Sequence, residues 1–389
     1  MLTENSQSAV RASAAGYILK VSPALRENER FRYGSGMNHI LHVVGARPNF
    51  VKAAPVLRAI GQHDLRQTLV HTGQHYDRNL SDVFFAQLEI PDPDVNLEVG
   101  SGSHAWQTAE IMRRFETVVL DRKPDIVLVY GDVNSTVAAA LVCAKLGVRV
   151  GHVESGLRSF DRTMPEEINR VVTDQLSDVL FTPSEDADAN LFREGVPKER
   201  IHFVGNVMID SLIRLLPIAK ACSRNGFPES FALLTLHRPS NVDNSEKLRD
   251  LLDCLTCVGE ELPIIFPVHP RTRQRISEFA LDCDNLRLLE PMPYIEFLSL
   301  QSRAAVVITD SGGIQEETTF LGIPCLTLRT NTERPITVTA GTNILVGDDR
   351  GRLVRELKDL LQGKKKKANV PPLWDGHSAD RIAGILRRM

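Results

Sequence analysis

Short runs of apolar, often β-branched residues alternate along the chain with longer stretches whose apolar positions recur every three or four residues. The runs at 39–44, 67–71, 126–130, 148–153 and 179–181 predict strands. Helical spacing occupies 50–61, 80–88, 104–122, 137–146, 165–176 and 186–193 between and after them, and a run at 201–204 closes the series. The pattern then restarts. Strands are predicted at 233–236, 264–267, 286–288, 305–309 and 325–328, with helices at 245–258, 271–279, 294–301 and 314–321. Apolar strands alternating with helices build parallel sheets from βαβ units. The expected fold is therefore α/β with two sheets, the second beginning after a connection near 205–206. The tail at 374–388 reads as one more amphipathic helix, with Ile382, Ile385 and Leu386 on one face. No repeat of fixed period is present.

Length agrees with two domains, because 389 residues exceed the roughly 250–300 that one core usually serves. The balance of 46 Lys+Arg against 49 Asp+Glu argues against a nucleic-acid partner or a polybasic membrane surface. No apolar run approaches the roughly 20 residues of a membrane helix. Residues 1–36 are polar and Ser/Ala-rich and lack the apolar core of a signal peptide, so the folded unit is expected to start near Met37. The six cysteines are sparse, which fits a reducing, cytoplasmic compartment. Cys254 and Cys257 lie inside a helical run with no second pair or nearby His, so they read as helix packing. The lysines at 364–367 read as a solvated helix end.

Several polar motifs fall where strands end, the place where ligands bind in open parallel sheets. Gly45-Ala46-Arg47-Pro48-Asn49-Phe50-Val51-Lys52 follows the first strand and opens a helix. Gly45 permits close backbone approach, Pro48 suits a first helical turn, and Arg47 stands at a helix N-terminus, a natural anion site. It is not G-x-G-x-x-G, so a nicotinamide fingerprint is not supported. Thr309-Asp310-Ser311-Gly312-Gly313 ends another strand before Gln315-Glu316-Glu317. Its hydroxyl and bare N–H groups suit a phosphate, and one of the two glutamates could accept from ribose hydroxyls. Asp132, Glu154, Glu166, Glu167 and His237 stand after other strands and could supply acid/base groups. His152 and Glu154 alternate and could face one way. His71 and His75 flank Gly73, which argues against helical metal ligation. No complete ligand set is present, so a metal-free site is expected.

Taken in order, GARPNFVK, HTGQHYD, VYGDVNST, GHVESGLRS, MPEEINR, the histidine of THRPSN, PVHPRTR, TDSGGIQEE and NTERP make the chain resemble the non-hydrolysing UDP-N-acetylglucosamine 2-epimerases from about residue 37 to 389. That resemblance implies two Rossmann-like domains in the GT-B (glycogen phosphorylase-like) arrangement, with the active site in the cleft between them. The domains would be 37–205 with a returning helix at 374–389, and 206–373. It implies a UDP-sugar substrate, C2 epimerisation through loss of UDP and a 2-acetamidoglucal, and no cofactor or metal. It also implies a homodimer and a role in surface polysaccharide synthesis. By the same resemblance Arg47 and His237 meet the diphosphate, and Ser311, Gly312 and Gly313 cradle it with Arg334 nearby. Glu317 would take the ribose, and Phe297 would lie by the uracil. Lys52, Asp132, Glu154, Glu166 and His237 would be the catalytic, sugar-facing groups. The motif wording is shared with epimerases of UDP-2,3-diacetamido-2,3-dideoxy-glucuronic acid. The other readings are a GT-B glycosyltransferase, a hydrolysing epimerase releasing free ManNAc, and a silent nucleotide-sugar binding protein. The sequence departs from the bacterial members at Pro239-Ser240 and at Gln74-His75-Tyr76-Asp77, regions that help form an activating second substrate site there.

Overall fold

The computed structural model describes residues 37–74, 85–222, 226–259, 261–283 and 285–389. They lie in one compact unit, Ser35–Met389. The expectations for residues 1–36, for His75 and for most of the helix at 80–88 fall outside the described residues.

Two parallel sheets carry the fold. The first has the order β3-β2-β1-β4-β5-β6-β7. Its strands are β1 (His39–Val44), β2 (Arg66–His71), β3 (Val95–Asn96), β4 (Ile126–Tyr130), β5 (Arg149–Val153), β6 (Val179–Thr182) and β7 (Ile201–Phe203). The second has the order β10-β9-β8-β11-β12-β13. Its strands are β8 (Ala232–Thr235), β9 (Ile264–Pro267), β10 (Leu286–Leu289), β11 (Val306–Thr309), β12 (Cys325–Thr327) and β13 (Asn343–Leu345). Both halves are thus Rossmann-like, as expected. Strand order reverses between β1 and β4 in one and between β8 and β11 in the other, and such switch points are where open sheets bind ligands.

β1 and β4 are buried along their whole length, so both faces must be apolar; this is why they read as unbroken runs. β3 and β13 were not expected, because two or three residues leave no periodic signal. The helices Val207–Ala221 and Arg350–Leu361 were also missed. The lysine run follows the second of these, at its C-terminal end.

Val207–Ala221 joins the halves; Val207, Leu212, Leu215 and Ala219 are buried in the core, and one hydrogen bond ties it to a neighbouring helix. Pro55 lies inside the helix Arg47–Gly61 and has no N–H to give the carbonyl of Val51. Ser211 Oγ donates to that carbonyl instead, at 2.6 Å.

The tail forms a shorter helix than expected, Ser378–Leu386 rather than 374–388. Gly376 has φ +87°, which ends any earlier helix. Trp374 is buried in the preceding turn, its Nε1 donating to Pro183 O at 2.9 Å. Asp210 accepts from the first N–H groups of the helix, Ser378 N at 3.2 Å and Ala379 N at 2.7 Å. Ile382 and Leu386 are fully buried in the core of the first half, with Ile385 at its edge.

Candidate active site

The site is built where the ends of β1, β4 and β5 in the first half approach the ends of β8 and β11 in the second. The helix Arg47–Gly61 begins earlier than its apolar pattern predicted, because Asn49 organises its first turn. Asn49 Oδ1 accepts from Gly45 N at 3.1 Å and Ala46 N at 3.2 Å, while its Nδ2 donates to Tyr130 O at 2.7 Å. One side chain thereby locks the end of β1 to the end of β4. Arg47 is half-buried at that N-terminus. Lys52, one turn on, is buried over Gly131. A Cβ on Gly131 would lie 2.6 Å from Lys52 Nζ, and its φ of +62° favours glycine in any case.

Glu154 stands immediately after β5 with φ +72°, a left-handed conformation that is costly for a glutamate. That twist separates it from His152. His152 Nδ1 faces Asp174 Oδ1 at 2.6 Å and its Nε2 donates to Gly131 O at 2.8 Å, beneath the sheet end. Glu154 turns the other way. Its Oε1 accepts from Lys52 Nζ at 2.8 Å and from Arg334 Nη2 at 3.0 Å. The sequence expectation that His152 and Glu154 could share one face is therefore corrected by a single backbone dihedral.

Arg334 comes from the second half and is buried among carboxylates. Besides Glu154 it pairs through Nε with Glu316 Oε2 at 2.9 Å and through Nη1 with Glu333. Glu333 also accepts from Arg329 Nη2 at 2.7 Å. Burial pushes the Glu333 carboxyl up, but Arg334, Arg329 and Arg170 outweigh it and hold it well below the usual range. Asp132, at the end of β4, is gripped by Arg170, and this charge with Lys52 and Arg334 overcomes burial and lowers its carboxyl. Arg170 is fixed in turn by Glu167 Oε2 at 2.8 Å. Glu167 also accepts from Ser159 and Phe160 N–H groups at 2.9 Å each, so it holds a loop. Glu166 is the half-buried member of that pair.

In the second half, Ser311 occupies the N-cap position of the helix Gly312–Leu321 at the end of β11, without a side-chain capping hydrogen bond. A Cβ on Gly312 would lie 2.4 Å from Arg334 Nη1, and one on Gly313 would lie 2.8 Å from Met208 Cε, so neither position has room for a side chain without movement. Asp310, fully buried, accepts from His237 N, Arg238 N and Asn241 Nδ2 at 3.0–3.2 Å, and it pairs with His237 Nδ1 at 2.8 Å. Burial opposes its ionisation, but His237 and these donors hold its carboxyl at about 2. His237 is exposed, and Nδ1 is the ring atom that Asp310 holds. A cavity of about 180 Å³ opens there, lined by His237, His269, Phe297, Ser311 and their neighbours. Glu317 is buried on the same helix and accepts from Tyr294 Oη at 2.7 Å; burial pushes its carboxyl up to about 7.

The structure therefore brings Lys52, Asp132, Glu154 and Arg334 into one charged cluster, and His237, Phe297 and Ser311 into one cavity. Sequence reading missed Arg170, Asp310, Glu316 and Glu333 as partners. All four lie inside motifs singled out above, but only folding shows which side chain each one meets. Among the described residues no group of three or more His, Cys, Asp or Glu could hold a metal ion. No described helix is long and apolar enough to cross a membrane.

Comparison with known proteins places this arrangement. The UDP-N-acetylglucosamine 2-epimerase family model matches residues 58–387. The UDP-N-acetylglucosamine 2-epimerase of Methanocaldococcus jannaschii is 44% identical over 358 residues, 88% of this chain and 97% of that protein. The UDP-2,3-diacetamido-2,3-dideoxy-D-glucuronate 2-epimerase of Pseudomonas aeruginosa is 42% identical over 354 residues, 90% of this chain and 99% of that protein. The crystal structure of the M. jannaschii enzyme in complex with UDP-GlcNAc and UDP superposes with a TM-score of 0.85 at 42% identity, over 90% of this chain and all of that one. With matches of this extent on both sheets, the chain belongs to the UDP-N-acetylglucosamine 2-epimerase family.

Proposed function

We propose that the protein interconverts UDP-N-acetylglucosamine and UDP-N-acetylmannosamine by epimerisation at C2. The observation that carries this reading is the Glu154–Lys52–Arg334 cluster, set beside Asp132 and facing the Ser311–Gly313 helix start. A C2–H is a weak acid, so its removal needs a positioned base and a site that stabilises developing charge. In this reading Asp132, Glu154 and Glu166 are the carboxylates around the sugar, with Lys52 and His237 as the other acid/base groups. One takes the C2 proton as the bond from C1 to the diphosphate oxygen breaks, leaving 2-acetamidoglucal and UDP. UDP then adds back at C1 while a proton enters the opposite face of C2.

The departing diphosphate carries its charge into Arg47, His237, Arg334 and the helix start at Ser311, Gly312 and Gly313. Phe297 flanks the uracil and Glu317 the ribose. Closure of 37–205 with 374–389 against 206–373 would keep water from the glycal. The reading includes a cytoplasmic homodimer that needs no cofactor and supplies ManNAc-type sugars for surface polysaccharide. The P. aeruginosa relative, nearly as similar as the M. jannaschii one, supports a second reading in which the substrate is UDP-2,3-diacetamido-2,3-dideoxy-glucuronic acid.

One experiment tests both. The purified protein is incubated in D2O with each UDP-sugar and followed by NMR. Deuterium at C2 with UDP-ManNAc formed from UDP-GlcNAc is the expected result. Exchange with the diacetamido-uronate alone selects the second reading, and no C2 exchange with either sugar removes both.

A further inference from the structure

Glu316 is a buried carboxylate that the proposed chemistry leaves unused. The sequence left it as one of two alternatives for the ribose, but its side chain turns toward Asn206 and Arg334. It lies on the helix Gly312–Leu321, and its two oxygens are held differently. Oε1 accepts from Asn206 Nδ2 at 2.9 Å, whereas Oε2 makes an ion pair with Arg334 Nε at 2.9 Å that lacks hydrogen-bond geometry. Asn206 is the cap of Val207–Ala221, the helix that joins the two halves, and its Oδ1 accepts from Met208 N at 2.9 Å. Arg334 reaches across to Glu154 at 3.0 Å, and Glu154 is held from its own half by Lys52 at 2.8 Å. A continuous chain of contacts thus runs from the interdomain connection to a carboxylate at the end of β5: Asn206, Glu316, Arg334, Glu154, Lys52.

We propose that Glu316 is a positioning residue that holds the Arg334 guanidinium and, by sharing its charge, sets how strongly Arg334 neutralises Glu154. The inference rests on Glu154 acting at the sugar, as proposed above. Arg334 is one positive charge placed between Glu154, Glu316 and Glu333. When Glu316 is ionised, part of that charge is drawn away from Glu154, whose carboxylate is then freer to act at the sugar. When Glu316 carries a proton, Arg334 is left to Glu154 and Glu333, and Glu154 is held more tightly. The groups facing Glu316 are Arg334, Glu154 and Lys52, with Glu333 behind Arg334 and neutral Asn206 on the remaining side. Burial, helped by Glu154 and opposed by Arg334 and Lys52, pushes the Glu316 carboxyl up from the ordinary carboxylate range toward neutral pH.

The test is the pH profile of kcat for UDP-GlcNAc epimerisation in the full-length protein, read with C2 exchange. Wild type is expected to climb about tenfold between pH 6 and 8 as Glu316 ionises. Glu316→Gln should hold kcat flat at the low-pH level, with KM changed less than about threefold. Glu316→Asp keeps the charge and should keep the climb. Should Glu316→Gln not fold, Asn206→Asp serves: Asp caps a helix as well as Asn, but it sets a carboxylate against Glu316 Oε1 and should move the climb to higher pH. A climb that survives Glu316→Gln, or is unmoved by Asn206→Asp, overturns the inference. So does a flat wild-type profile. A wild-type protein that exchanges no C2 proton breaks the functional reading instead.

Discussion

Asp310→Asn removes the one carboxylate that organises the His237 turn, and its cost can be worked from the contacts. The carboxyl is held at about 2, against an ordinary value of 3.8. That difference favours the folded, ionised state by roughly 2 kcal/mol. The folded value is the lower one. The contribution is therefore complete above the unfolded value and is lost as pH falls through about 2. Asn supplies one acceptor oxygen where two are used, and its NH2 would face Arg238 N or His237 N. An unsatisfied buried donor costs about 1–3 kcal/mol more, and that part does not depend on pH. The expected deficit is about 3–5 kcal/mol at pH 7, falling to about half that near pH 2. Urea unfolding of wild type and variant at pH 7, 5, 3 and 2.5 measures it, with midpoints converted through a common slope. A deficit that stays constant with pH would refute the electrostatic account, and no deficit at any pH would refute the hydrogen-bond account as well. UDP affinity, followed by calorimetry, should fall with the loss of His237 orientation.

Three other outcomes are expected. Asp132→Asn and Glu154→Gln should each lower turnover by orders of magnitude in the NMR assay while UDP binding persists; full activity in both would break the assignment. Ser211→Ala leaves the Val51 carbonyl without its donor and should cost about 1–3 kcal/mol in thermal unfolding. Adding Pro55→Ala restores a helical N–H for that carbonyl, so the double variant should recover stability; equal losses in single and double variants would disprove the pairing. Ile382→Ala removes a fully buried side chain from the returning helix and should destabilise by about 2–5 kcal/mol, read from the shift in melting temperature.

Much of the site's address was written in the order of residues. The strands β1, β4 and β9 fall where their apolar runs predicted, because strands buried on both faces need unbroken apolar runs. Gly45 was read as a close approach and Gly312 and Gly313 as bare backbone donors, and the structure shows what would occupy each missing Cβ; the close approach at Gly131 was not foreseen. Elements without a local signature could not be read. β3 and β13 are too short to show a period and exist because neighbouring strands offer them a ladder. The helix at 374–388 was overestimated, since Trp374 packs into a turn at Pro183 that is 191 residues away in sequence.

By itself, then, the sequence determined two α/β sheets, the strand ends that carry polar groups, and the family. Each of these rests on local pattern: apolar period, turn residues and motif spacing. Which charges meet was decided only in three dimensions. Lys52 and Glu154 are 102 residues apart, and Glu154 and Arg334 are 180 apart. Their pairing depends on how the two halves pack and on one left-handed residue at the end of β5. The same holds for Glu316. A local reading left it as an alternative to Glu317 for the ribose, whereas burial beside Arg334 and Asn206 makes it a partner of the cluster, because a carboxylate removed from water takes its charge state from the groups that surround it.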